Sequence, residues 1–131
     1  MIVLDTHVWL WLLHDYGQLS AQAQMVIEQE RQHNGLRVSA ISVWEIALKV
    51  SQDKLQLPLE INQWYEQVSV YPGLLIEPII AEVVIASTQL PGTFHKDPAD
   101  RIIVALARRY NVPLITCDDK ILAYPDVETI W

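Results

Sequence analysis

Short apolar runs suited to strands alternate along this chain with segments of helical period, and that alternation restricts the fold more than any other feature. Residues 1–5 (MIVLD) read as a buried strand that ends in an acid. The stretch from Thr6 to His14 is apolar almost all round and reads as a helix, with Gly17 beyond its end. A second helix spans about 20–33 and stops at Asn34-Gly35, and residues 36–40 (LRVSA) suit the next strand. From Ser42, residues Val43, Ile46, Ala47 and Val50 recur at helical spacing until Pro58 interrupts. Ile61, Trp64, Tyr65 and Val68 mark another helix, and Pro72-Gly73 turn the chain into a strand at 74–77. A helix over about 80–89 is stopped by Pro91-Gly92. The next, 98–110, has Asp97 as its N-cap and Pro98 at its first position. A strand at 112–116, a helical turn at 119–124 and a last strand at 127–131 complete the series.

Strands and helices in alternation predict an α/β domain with a central, mostly parallel sheet of about five strands, covered on both faces. The 131 residues fit a single domain, 1–131, that buries roughly two-thirds of its unfolded surface without metal or disulfide staples. One cysteine, Cys117, allows no internal disulfide and suits a reducing compartment. Asp5 and His7 interrupt the apolar N-terminal stretch, and no basic region precedes it. A signal peptide or membrane span is therefore not expected, and a cytoplasmic location is. A formal charge of -7 argues against a broad basic surface for clinging to nucleic acid. It counts less against a nuclease, whose bound cations offset clustered carboxylates. The local basic residues Lys96, Arg101, Arg108 and Arg109 are equally readable as solvated helix charge. With 51% hydrophobic and 19% charged residues, the chain has apolar surface to spare for a partner.

In parallel sheets, sites form outside the carboxyl ends of the strands. Asp5 ends the first strand and Asp118 lies just past the strand at 112–116, so two separated acids fall at one edge of the sheet. Glu45 and Asp100 stand near helix starts that reach the same rim. Each acid also has a structural reading. Ser42-Val43-Trp44-Glu45 and Asp97-Pro98-Ala99-Asp100 both match a capping box, while Asp5 and Asp118 suit N-caps. Their surroundings (MIVL, VWEIAL, RIIVALA, VPLIT) are strongly apolar, and a half-buried ionised carboxylate is costly without a partner. Two carboxylates about 5 Å apart repel by roughly 3 kcal/mol at an effective dielectric near 20. An all-oxygen set of this kind favours a hard divalent ion, Mg²⁺ or Mn²⁺. The histidines show no zinc spacing, and the isolated glycines provide no phosphate-binding loop. Trp9 and Trp11 cannot share a helix face, so either one is in the core and the other at an interface, or both are covered by the following helices. Trp44 is expected in the core or as a shield beside the acids rather than as a base-stacking platform.

The series LDTHVWLWLL, ISVWEIALKV, DPADRIIVALA and LITCDD resembles the PIN-domain family over essentially the whole chain, and within it the VapC-type ribonuclease toxins of bacterial toxin–antitoxin pairs. The resemblance implies a Rossmann-like α/β/α sandwich and a metal-dependent endoribonuclease acting on single-stranded RNA. By motif, it assigns Asp5, Glu45, Asp100 and Asp118 as the catalytic and metal-binding acids, Asp97 being the N-cap. Asp119 remains open between a supporting role and a solvated one. Thr6 and Thr116 are candidates for holding carboxylates or waters, and His95 and Arg101 for contacting substrate phosphate. Arg101 is equally suited to pairing with Asp97 or Asp100. Together with the acidic charge and the apolar excess, the resemblance also implies a homodimer and a cognate antitoxin. Cys117 departs from the basic or small residue usual in the family at that place. Two other classes remain in view: another Mg-dependent phosphoryl-transfer domain, and a non-catalytic interaction module whose acids merely cap helices.

Overall fold

The side chains of Ile2, Val3 and Leu4 are all buried, and alternate residues of a strand face opposite sides, so the first strand must be covered on both faces. The computed structural model, which describes residues 1–131, shows how. Its elements are β1 (Ile2–Leu4), α1 (Thr6–His14), α2 (Ala21–Arg31), β2 (Leu36–Ser39), α3 (Ala40–Ser51), α4 (Ile61–Val68), β3 (Leu74–Glu77), α5 (Ala81–Thr88), α6 (Pro98–Tyr110), β4 (Leu114–Ile115), α7 (Asp119–Leu122) and β5 (Thr129–Ile130). A 3₁₀ turn at Tyr16–Gln18 links α1 to α2. The five strands form one parallel sheet in the order β3-β2-β1-β4-β5.

Ile2 and Leu4 pack with Trp9, Ile27 and Trp64, so α1, α2 and α4 cover one face. Val3 packs with Val83, Ile103, Leu106 and Ile121, so α5, α6 and α7 cover the other. Trp9 and Trp64 meet at 5.3 Å in the first core. At the far end of the sheet Gly73 adopts φ +82° against the carbonyl of Arg31, a place where a side chain would fit neither the backbone nor the space. No helix is long and apolar enough to cross a membrane.

The order of the strands also locates the crevice. The chain lays down β1, β2 and β3 to one side, then β4 and β5 to the other, so the direction of travel reverses between β1 and β4. Beyond the carboxyl ends of those two strands nothing crosses over, and a cleft opens there.

The expected α/β/α sandwich is thus present, and α6 begins and ends as its sequence predicts. Asp97 accepts from the Asp100 amide at 3.0 Å, Pro98 occupies the first turn, and Asn111 closes the helix in the left-handed conformation. The expectation for α3 is corrected. The helix starts at Ala40, capped by Ser39, whose hydroxyl accepts from the Ile41 amide at 3.1 Å. Ser42 therefore lies inside the helix, fully buried, and Ser42–Glu45 is not a capping box.

Candidate active site

Asp5 leaves the end of β1 at the reversal point and is 6% exposed. As N-cap of α1 its Oδ1 accepts from the Thr6 amide at 2.8 Å, while Oδ2 accepts from the Thr116 hydroxyl at 2.7 Å. The same Thr116 oxygen accepts from the Asp118 amide at 3.0 Å. One buried threonine past the end of β4 thus ties together the two acids that come from neighbouring strands. Asp118 caps α7, with Oδ1 accepting from the amides of Lys120 and Ile121 at 2.8 and 3.3 Å. Capping occupies one oxygen of Asp118 and leaves the other free.

Glu45 is held from α1. Its Oε1 accepts from the Thr6 hydroxyl at 2.6 Å, and that hydroxyl lies 2.7 Å from Ser42 Oγ. Thr6 donates to a carboxylate, so the proton between the two hydroxyls belongs to Ser42, giving a relay from Ser42 through Thr6 to Glu45. The Glu45 carboxylate therefore faces the crevice and does not cap the start of its own helix. Ser42 is the one residue of this group that sequence reasoning passed over as a functional support. Its only signal was a small polar residue on the apolar face of α3.

Asp100 comes from the first turn of α6, with Oδ2 3.0 Å from His95 Nε2. The four acids line one open cleft of about 350 Å³ together with Thr6, His7, Lys49, His95, Asp97 and Lys120, and none of the lining residues is hydrophobic. Thr116 lies behind them, fully buried. Arg101 turns away: its guanidinium donates to the carbonyls of Ser87, Phe94 and His95, at 2.8, 3.0 and 3.2 Å. It pairs with neither Asp97 nor Asp100, and it fixes the loop that carries His95. Asp119 is exposed and does not line the cleft.

The electrostatics follow from this crowding. Burial raises the Asp5 carboxyl above its usual range, partly offset by the hydrogen bonds from Thr116 and Thr6. Burial raises Glu45 likewise, against the Thr6 hydrogen bond. Asp100 is pushed up to about 7, first by burial and then by the charges of Asp5, Asp97, Asp118 and Glu45. A carboxyl that feels four other acids, with the His95 ring as its one basic neighbour, is a place where positive charge is missing.

The donor set, all carboxylate oxygen in a wet cleft, fits a hard divalent cation. As the side chains stand, no three Asp, Glu, His or Cys groups converge closely enough to enclose an ion. That looseness suits Mg²⁺, which keeps several of its waters and binds through one or two carboxylates directly. It does not suit a closed cage such as structural zinc requires.

Comparison with known proteins agrees with the geometry. The PIN domain family model matches residues 2–127. Ribonuclease VapC22 of Mycobacterium tuberculosis (strain ATCC 25618 / H37Rv) is 32% identical over 133 residues, spanning 99% of this chain and 98% of that protein. Among solved structures, VapBC2 from Rickettsia felis bound to a promoter DNA fragment superposes with a TM-score of 0.71 at 20% identity, over 99% of this chain and 98% of that one. FitAcB from Neisseria gonorrhoeae gives 0.69 at 22% identity, over 100% and 97%. With its acids gathered at the β1/β4 crevice and a family match running almost end to end, this chain belongs to the PIN-domain family.

Proposed function

We propose that the protein is a divalent-metal-dependent endoribonuclease and the toxin of a toxin–antitoxin pair. The observation that carries this reading is the set of carboxylates in one hydrophilic cleft, with Asp100 pushed up to about 7 by burial and then by its acidic neighbours. The ribonuclease name of the relative at 32% identity supports the reaction class. Asp5, Asp100 and Asp118 would hold the ion. When bound, Mg²⁺ or Mn²⁺ polarises the scissile phosphate and lowers the pKa of a water.

The chain's own residues supply the rest. Thr116 and Thr6 fix the directions of Asp5 and Glu45, so these carboxylates need little reorganisation when substrate arrives. Glu45 has Oε1 committed to Thr6 and Oε2 free to orient the attacking water and take its proton. His95, held on its loop by Arg101, keeps its buried Nε2 against Asp100 Oδ2 and so positions that carboxylate. His7, on the exposed first turn of α1, presents an N–H donor to a phosphate oxygen.

As partners, a cognate antitoxin and a second copy of this chain fit the same reading. The structural neighbours from Rickettsia felis and Salmonella typhimurium are VapBC complexes bound to DNA, and another, from Klebsiella pneumoniae, is a toxin–antitoxin complex. The test is cleavage of a panel of structured and unstructured RNAs with Mg²⁺, with Mn²⁺ and with chelator, comparing wild type with Asp100→Asn. Metal-dependent cleavage lost in the variant is expected. Cleavage that persists in chelator and in the variant would overturn the mechanism.

A further inference from the structure

The acid cleft does not end at the acids. Glu45, Lys49 and Asp97 also line a second groove, which runs on along α3 past Trp44, Leu48 and Lys54 to Pro98. Trp44 was expected in the core or as a shield. It is not in the core: it stands beside the acids and is 53% exposed, the largest of the exposed apolar side chains. The helix explains why. Ile46, with Val43 and Val50 packed against the same core, fixes the buried side of α3, so Trp44 and Leu48, four residues apart, share the outer side.

The cations of the chain are distributed unevenly around this groove. Arg31 pairs with Glu28, Arg37 pairs with Glu77, and Arg101 is spent on backbone carbonyls. None of the four lysines takes part in an ion pair. Three of them, Lys49, Lys54 and Lys120, border the acid cleft or its extension. Arg108 and Arg109 stand unpaired with any acid at the far end of α6, yet in a chain of charge -7 three of the four lysines lie beside the acid cleft, where they do not neutralise the carboxylates by contact. A polyanion that approaches the acids would meet these lysines. A third groove opens beside His7, lined by Leu10, Trp11, His14, Leu57 and Pro58. It contains no lysine or arginine and offers a polyanion nothing.

We infer that the Trp44 groove is a nucleotide subsite for the single-stranded RNA substrate. An unpaired base stacks on the Trp44 ring, and Lys49 and Lys54 hold the adjoining phosphates, Lys49 being the one nearest the scissile bond because it lines both hollows. A base can reach an exposed indole face only when it is unstacked and unpaired, so this subsite selects single strands over duplex. The inference rests on the nuclease reading above. It adds where the strand runs, from the acids along α3, and which side chains favour its unpaired form.

The test uses the full chain and an oligouridylate of eight residues, kept intact by chelator, with binding followed by fluorescence anisotropy. Trp44→Ala should weaken binding about tenfold, with Trp44→Phe restoring most of it, while affinity for a duplex of equal length stays unchanged. Lys49→Gln and Lys54→Gln should each reduce the salt dependence, the slope of log K against log salt, by about 0.7. Unchanged affinity in Trp44→Ala overturns the subsite. So does a variant whose only change is from dimer to monomer in sedimentation, which would assign this face to a second copy of the chain. The two readings fail separately. Metal-dependent cleavage of RNA with wild-type binding in Trp44→Ala removes the subsite alone, whereas a wild type that neither binds nor cleaves removes the nuclease with it.

Discussion

Replacing Asp100 with Asn should make the metal-free protein more stable, the opposite of what loss of a helix-favouring acid would do. Asp100 titrates near 3.8 when solvent-exposed and at about 7 in the fold. Between those values the native state holds a proton that the unfolded chain has released, so stability falls as pH rises through this window and is lowest above 7. The full linkage is about 4 kcal/mol. The cleft is open to water on one side, and solvent screening reduces the effect to about 2 kcal/mol. Against this stands the loss of a favourable charge at the positive end of α6, worth at most about 1 kcal/mol. Repulsion and burial therefore win. Asn keeps an oxygen where His95 meets the carboxylate, so that contact is retained in part. In chelator at pH 8, Asp100→Asn should melt roughly 4–7 °C above wild type for a chain of this size. The gap should close as pH falls from 7 towards 4. Adding Mg²⁺ should raise the wild type and leave the variant nearly unmoved. A variant less stable than wild type at pH 8 in chelator would refute the argument, because Asp100 would then be a helix-capping acid and not a member of a repelling cluster.

Three further outcomes follow from the same contacts. Thr116→Val removes the hydroxyl shared by Asp5 and the Asp118 amide, and should cost about 1–3 kcal/mol in denaturant unfolding together with most of the cleavage activity. Glu45→Gln should stay within about 1 kcal/mol of wild type in the same unfolding experiment while cleavage falls about a hundredfold or more. Metal affinity measured by calorimetry should rise about tenfold per pH unit up to about 7, as Asp100 gives up its proton, and level off above.

Much of this arrangement is legible in the chain because strand ends are legible. MIVL and VPLIT announce buried parallel strands, and an acid just past such a strand lies at the crevice whatever the loops do, so Asp5 and Asp118 could be placed without a structure. Glu45 was harder. Ser39 and Ser42 are both plausible N-caps, and only the burial of Ser42 against Thr6, 36 positions away in sequence, decides between them. The fate of Arg101 was hidden for a related reason. Neighbours on a helix point about 100° apart, so the residue beside Asp100 reaches round α6 to the loop carbonyls and not into the cleft. Trp44 misled through composition. A helix apolar on most sides blurs its own period, and an indole among Val, Ile and Leu reads as core until the packing of Val43, Ile46 and Val50 fixes the inward side. For Trp9 and Trp11 the two-residue spacing separated their faces. Trp9 is fully buried, while Trp11 is half-buried beside Trp131 at 5.9 Å.

The central claim is that the acids at the β1/β4 crevice form a divalent cation site, and Mn²⁺ titration followed by electron paramagnetic resonance tests it without reference to any RNA. Wild type at pH 8 should bind one or two Mn²⁺ ions, displaced by excess Mg²⁺, and both Asp5→Asn and Asp100→Asn should lose most of that binding while remaining folded. Mn²⁺ binding of equal strength in wild type and in both variants would contradict the claim.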